Sequence, residues 1–158
     1  MGFDSLQFRE ALGRFATGIC VITAHPPGHA PFGLTVNSFA SLSLTPPLVL
    51  WCLQKDSATA EAFRVARSYC VNVLGQGQRL HAERFARKGV HRLHDGDYLR
   101  GSDGLPLLPD VLARFECDIE ARHDGGDHTI LVGRVCRLDV AGSGKPLLFY
   151  AGDYHALD

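Results

Sequence analysis

Residues 33–47 read GLTVNSFASLSLTPP and set Thr35, Asn37, Ser38, Ser41 and Ser43 among small or apolar side chains. A buried strand normally avoids so many short hydrogen-bonding groups, because each must find a partner once it leaves water. At this density, hydroxyl, amide and backbone N–H groups can meet the donor and acceptor edge of a flat heteroaromatic ligand, and short side chains let it approach the backbone. Taken alone, the stretch is more simply an edge strand running into a Ser-rich turn. Shortly after it, Lys55 and Ser57 supply a cation and a hydroxyl. Such a pair suits a phosphate through oriented, charge-assisted hydrogen bonds, although Lys-Asp-Ser ahead of a helix is ordinarily a cap with a solvated lysine. Arg79, Arg84, Arg87 and Lys88 add a basic helical set, read either as an exposed face or as further charge for the same ligand. Together these features outline a binding strip for a phosphorylated aromatic cofactor.

Other chemistries find little support. Cys20, Cys52, Cys70, Cys117 and Cys136 are odd in number and form no C-x-x-C pair. Lying in apolar strand-like runs, they read as small buried hydrophobes in a reducing compartment. The histidines lack metal-ligand spacing: His91 and His94 fall in a charged loop, and His25 and His29 in a turn of breakers. No nucleophile–base constellation stands out, and no G-x-G-x-x-G is present, so no dinucleotide unit of the doubly wound type is expected. A net charge of −1 gives no footprint for nucleic acid or an anionic membrane. Apolar runs are too short to span a bilayer, and residues 1–14 carry charges throughout with no signal-peptide core, which points to a soluble, cytoplasmic protein.

The elements that must position these residues follow from periodicity. At 158 residues the chain fits one domain, 1–158, with one substantial core. Asp4 or Ser5 caps a first helix whose Phe8, Leu12 and Phe15 form an apolar stripe expected to pack inward, with Gly18 as its stop. Residues 19–23 read as a strand, and LVLWCL from Leu48 as a strand buried on both faces. A helix is expected from Ala58 to about Arg67, a buried strand over 69–74 with Asn72 at its centre, and a helix over 78–87 with Leu80 and Phe85 as its larger apolar residues. Residues 89–104 form the longest loop candidate, of the kind that serves as a lid or partner contact. Phe115, Cys117, Ile119 and Ala121 alternate with charged residues as a half-buried strand, and after the turn at 124–127 the chain returns from His128 to Val140. Several strands, few helices and hairpin connections suggest a closed antiparallel barrel with peripheral helices.

The segments GLTVNSFASLSLTPPLVLWCL, QKDSATAEAF, YCVNVL, RFA at 84–86, GDH at 126–128 and GKPLLFYAGDYHAL resemble, in order and over nearly the whole chain, the flavin reductase family with the FMN-binding split-barrel fold. The resemblance implies a mainly β architecture, a closed antiparallel Greek-key split β-barrel with a few peripheral α-helices, assembled as a homodimer. It implies an NAD(P)H-dependent reductase that passes hydride from NADH or NADPH to FMN or FAD and supplies reduced flavin to a partner flavin-dependent monooxygenase. By matching positions, Thr35, Val36, Asn37, Ser38 and Ser41 would contact the isoalloxazine and ribityl chain, and Lys55 and Ser57 the flavin phosphate. Arg84 and Phe85 would add a further flavin contact, His128 would lie near the nicotinamide as the catalytic position, and Tyr154 would approach the same pocket. Two other readings stay open: a flavin enzyme of this fold that reduces iron, a corrinoid or a quinone, and a flavin-binding protein without turnover. Hydride transfer between stacked rings asks for orientation and a donor-rich edge rather than for an acid or base, which agrees with the polar cradle.

Overall fold

The computed structural model describes residues 2–158. The first helix, α1 (Ser5–Gly13), starts at Asp4, whose carboxylate accepts from the Leu6 and Gln7 N–H groups at 2.9 and 2.8 Å. Gln7 Oε1 accepts in return from the Asp4 N–H at 3.0 Å. This reciprocal cap satisfies donors that the first turn would otherwise leave bare. The inward packing expected of this helix is corrected by the structure: no α1 residue is buried, and Phe8, Leu12 and Phe15 are 51%, 58% and 77% exposed. Periodicity says that a helix face favours cover, but it does not say that the same chain provides it.

Strands β1 (Thr17–Gly18), β2 (Cys20–Ala24), β3 (Phe32–Val36), β4 (Ala40–Ser43) and β5 (Leu48–Gln54) lead to helix α2 (Ala60–Val65). Strand β6 (Ser68–Val73), a 3-10 turn at Gln76–Gln78 and helix α3 (Arg79–Ala86) follow, and then β7 (Leu99–Arg100), a second 3-10 turn at Ser102–Gly104, β8 (Pro106–Leu107), β9 (Ala113–Gly125), β10 (His128–Val140), β11 (Leu147–Tyr150) and β12 (Asp153–Ala156). Seven strands make one antiparallel sheet in the order β3-β2-β6-β9-β10-β5-β4, with β1-β11-β12 as a second sheet and β7-β8 as a short ladder. The architecture is mainly β with few helices.

Strands β3 and β4 are the two edges of the large sheet, yet only residues 37–39 separate them in the chain, so the sheet curls until its edges share a corner. Ser38 pins that corner: its Oγ accepts from the Cys52 N–H at 2.9 Å and donates to the Cys52 carbonyl at 3.3 Å. Inside the curl, the Phe39 and Phe115 rings lie 5.5 Å apart. No ladder joins β3 to β4 among the described residues. The hydrogen bonding is therefore that of a curled sheet with open edges, where the sequence leads to a closed barrel; main chain that turns a corner at 37–39 is not available to pair across it.

The core inside the curl is built on Trp51, Phe63 and Tyr69, whose rings meet edge to face with Trp51–Phe63 centroids at 5.0 Å and Trp51–Tyr69 at 5.8 Å. Strand β5 alternates, with Val49, Trp51 and Leu53 buried and Leu48, Leu50 and Cys52 only half-buried, so the expectation of burial on both faces is corrected. Helix α3 buries Ala82 and Phe85 but leaves Leu80 78% exposed. Residues 89–104 are less of a loop than expected. His91 through Leu93 run antiparallel to the start of β3, with Gly33 N–H donating to the His91 carbonyl and Leu93 N–H to the Pro31 carbonyl, each at 2.8 Å, and β7 then pairs with β8.

Candidate functional site

Strand β3 has β2 on one side, while on its other side residues 91–93 cover only its first residues. From Leu34 onward that edge has no strand partner among the described residues, which leaves main-chain N–H and C=O groups available to a ligand. A groove of about 260 Å³ opens along this edge. One wall is residues 34–38, and the other brings Cys52, Gln54 and Ser57 from the end of β5 and the turn beyond it, with His128 from the start of β10. The register explains the convergence: His128 pairs directly with Gln54, and Lys55 N–H donates to the Asp127 carbonyl at 2.9 Å, so the hairpin tip is tied to the β5 end.

The consecutive residues Thr35, Val36, Asn37 and Ser38 thus share one groove with Ser57 and His128, which are distant in sequence. Their hydroxyls are not all uncommitted. Thr35 Oγ1 donates to the Ala82 carbonyl at 2.7 Å, which holds α3 beneath β3, and Ser38 is spent on the corner. Ser57 Oγ lies 3.0 Å from Thr59 Oγ1 and accepts from the Thr59 N–H at 3.3 Å, so its own proton can point elsewhere. His128 Nδ1 donates to Asp127 Oδ1 at 2.7 Å, because an ionised carboxylate can only accept; Nε2 is left as the ring nitrogen without a protein partner. That hydrogen bond, and then the imidazole's charge, hold the Asp127 carboxyl below the usual range. No carboxylate lines the groove. Partial burial pushes the Cys52 thiol up, so it is a neutral wall group rather than a nucleophile.

The other expected residues lie elsewhere. Lys55 stands on the opposite face of β5 from Gln54, on a cavity of about 380 Å³ between α2 and the β9–β10 hairpin. Its Nζ is bound to Asp124 and, at 2.6 Å, to the Gly126 carbonyl. Lys55 and Ser57 are therefore not brought together, since the strand's alternation sends the lysine to the hairpin tip. Ser41 is exposed on β4 in register with Val49, away from the groove. Phe85 is fully buried beneath β3, where a Cβ on Gly33 would already lie 3.1 Å from its ring. Arg84 lies over that ring at 4.7 Å and donates to Asp97 Oδ2 at 2.9 Å and to the Arg92 carbonyl at 3.2 Å, which anchors the 91–97 segment. Tyr154 packs on Phe149 at 5.5 Å under the Arg79 guanidinium and does not line the groove.

Leu34, Cys52 and Gln54 line the groove without having been singled out by sequence. The usable signal was parity: Gln54 ends the run LVLWCL, and an alternating strand puts Cys52 on its face. Four of the cysteines are buried or half-buried, and burial pushes the Cys20 and Cys70 thiols up to about 12. Cys136 departs from the expectation. It is exposed because the β9–β10 register shifts between Val135 and Arg137, turning it outward. Among the described residues no group of three or more His, Cys, Asp or Glu side chains is placed to hold a metal, and no helix is long and apolar enough to cross a membrane.

A model of the flavin reductase like domain matches residues 12–158. The chain is 46% identical over 153 residues to the FMN reductase (NADH) SmoA of Agrobacterium fabrum, covering 97% of this chain and 86% of that protein. It is 39% identical over 155 residues to HsaB, the reductase subunit of a flavin-dependent monooxygenase of Rhodococcus jostii, covering 98% and 79%. The NADH:FAD oxidoreductase SgcE6 of Streptomyces globisporus, solved in complex with NAD and FAD fragments, matches with a TM-score of 0.91 at 36% identity, covering 98% of this chain and 93% of that one.

Proposed function

The chain belongs to the flavin reductase like domain family, and from that premise we propose that the β3-edge groove holds the flavin of an NADH-dependent flavin reductase that supplies a monooxygenase. The carrying observation is the convergence on one groove of an unpaired strand edge, Asn37, Gln54, Ser57 and His128, with no carboxylate to repel a phosphate or a reduced ring. Those residues fit the group: a row of main-chain and amide donors suits a heteroaromatic edge, and a hydroxyl at one end suits a phosphate. A bound flavin, FMN or FAD, supplies the hydride acceptor for the nicotinamide. What the chain supplies is placement. The Leu34 and Val36 side chains and the β3 main chain form a wall, Asn37 and Gln54 present amides, Ser57 offers its proton to the phosphate, and His128, oriented by Asp127, turns Nε2 toward the nicotinamide carboxamide. With NADH as the donor, NADPH is the comparison to run beside it.

Purified protein is expected to oxidise NADH only when flavin is present, because the flavin is the hydride acceptor. Turnover persisting in flavin-stripped protein without added flavin would defeat the reading. Two substitutions should separate the ends of the groove. Ser57→Ala is expected to weaken flavin binding by roughly 10- to 150-fold, as a charge-assisted hydrogen bond of ~1.5–3 kcal/mol implies, with the KM for NADH little changed. His128→Ala should lower kcat/KM for NADH by a cost of ~0.5–1.5 kcal/mol while flavin titrations stay as in the wild type. Equal effects of both variants on both ligands would mean that these residues shape the hairpin rather than meet separate partners.

The exposed stripe of Phe8, Leu12 and Phe15 favours a homodimer in which a second copy covers α1. Light scattering returning a monomer mass would contradict that assembly. The same reading takes residues 1–158 as one split-barrel unit whose large sheet curls around the 37–39 corner. It places the protein in the cytoplasm, where five unpaired cysteines are at home.

A further inference from the structure

The cavity of about 380 Å³ on the far face of β5 is larger than the β3-edge groove and shares no lining residue with it. Alternation on paired strands builds its sheet wall. Leu53 of β5 is in register with Thr129 of β10, and Leu131 of β10 with Arg122 of β9, while Lys55 continues the same side of β5. Ala60, Phe63 and Arg64 of α2 form the opposite wall. The floor is apolar and buried, with Leu53, Phe63 and Leu131 at 4%, 1% and 1% exposure. The mouth is cationic: Lys55, Arg64 and Arg122 stand exposed around it, and no carboxylate lines it.

Two of these cations are already matched by charge. Lys55 is paired with Asp124, and Arg64 Nη1 lies 3.4 Å from Glu61 Oε2. Arg122 is not: its Nη2 donates to the Phe63 carbonyl at 2.9 Å and to the Ala66 carbonyl at 2.7 Å, and no carboxylate pairs with it among the described residues. Those two bonds cap the end of α2, so they fix the guanidinium at the cavity and leave Nε and Nη1 without a protein partner among the described residues. We propose that this cavity is a second small-molecule site, which takes a carboxylate carried on a one- or two-ring apolar body. The head meets Arg122, whose planar fork matches a carboxylate, and the rings lie against Leu53, Phe63 and Leu131. One unmatched positive charge balances a monoanion, which favours a carboxylate over a dianionic phosphate ester. The assignment goes beyond the flavin reading and does not depend on it, because β5 separates the two sites, with Gln54 on one face and Lys55 on the other.

Calorimetric titration with 2-naphthoate decides the matter. The wild-type protein should bind it with the same Kd in the presence and absence of saturating FMN, whereas neutral 2-naphthamide and ring-free acetate should each bind at least about tenfold more weakly. Arg122→Met should raise the Kd for 2-naphthoate about tenfold or more. Because that change also removes the α2 cap, a melting curve checks its folding. Ala60→Leu fills the cavity from the helix side and leaves the cap intact, so it should abolish binding by itself while kcat and KM for NADH with FMN stay as in the wild type. A wild-type Kd above about 1 mM, equal affinity for the acid and its amide, competition between 2-naphthoate and FMN, or wild-type affinity in Ala60→Leu or in folded Arg122→Met would each overturn the assignment. Normal FMN binding and turnover in those cases would leave the flavin reading standing. Conversely, 2-naphthoate bound as expected by a protein that takes up no FMN would overturn the flavin reading and support this site.

Discussion

Gly133→Ala is expected to melt roughly 6–12 °C below the wild-type protein, corresponding to a loss of about 3 kcal/mol. Gly133 sits on β10 where the register with β9 shifts, facing Ile119 on β9 and Val49 on β5. A Cβ there would lie 2.2 Å from the Tyr69 hydroxyl, 2.7 Å from Tyr69 Cζ and 2.9 Å from Cys117 Cβ. Nothing nearby can give way. Tyr69 and Trp51 are fully buried against each other, and Cys117 belongs to the neighbouring strand. The glycine is therefore required by close approach, and the penalty is overpacking in a core already at crystal-like density. Tyr69→Phe removes the nearest atom and should recover part of the loss in the double variant, although the ring carbon at 2.7 Å still presses on the new methyl. A melting temperature for Gly133→Ala within a degree or two of wild type would show that the sheet opens at this point at little cost.

Asn72→Ala should cost about 2–4 kcal/mol in chemical denaturation, while the flavin affinity of the folded protein stays unchanged. Asn72 is fully buried in the middle of β6. Its Nδ2 donates to the Val21 carbonyl at 2.9 Å and to Thr23 Oγ1 at 3.0 Å, and its Oδ1 accepts from the Leu108 N–H at 3.0 Å. One side chain thus joins β2, β6 and the segment that follows β8. Truncation leaves a carbonyl and an N–H without these partners in a dry site, each orphaned group costing ~1–3 kcal/mol before any gain from a trapped water. Because Asn72 does not line the β3-edge groove, a shifted flavin Kd would assign it a role that its contacts do not support. A change below about 0.5 kcal/mol would mean that water replaces the amide completely.

The local elements and part of the site were legible in the order of residues. Period-two alternation marked the β9–β10 hairpin, the run around Asn72 marked a buried strand, and the density of short polar side chains over 33–47 marked a wall that a ligand would need, of which only 34–38 stand in the groove. These are readings of a residue against its near neighbours, and side-chain chemistry and spacing suffice for them. What they could not settle is which face a side chain takes when a run is uniformly apolar, and what covers a face. In LVLWCL every residue is apolar, so the parity that turns Cys52 and Gln54 into the groove while sending Lys55 to the hairpin tip was set only by the pairing of β5 with β10. The stripe on α1 was correctly apolar but lies uncovered within this chain, because periodicity carries no information about the partner surface. Phe85 and Arg84, read together from one short motif, were separated by the helix: one faces the core beneath Gly33, the other holds the 91–97 segment against β3. Residue types and short-range spacing decided that a polar cradle exists; the curl of the sheet, which brings β3 and β4 to one corner and His128 to Gln54, decided which residues stand in it.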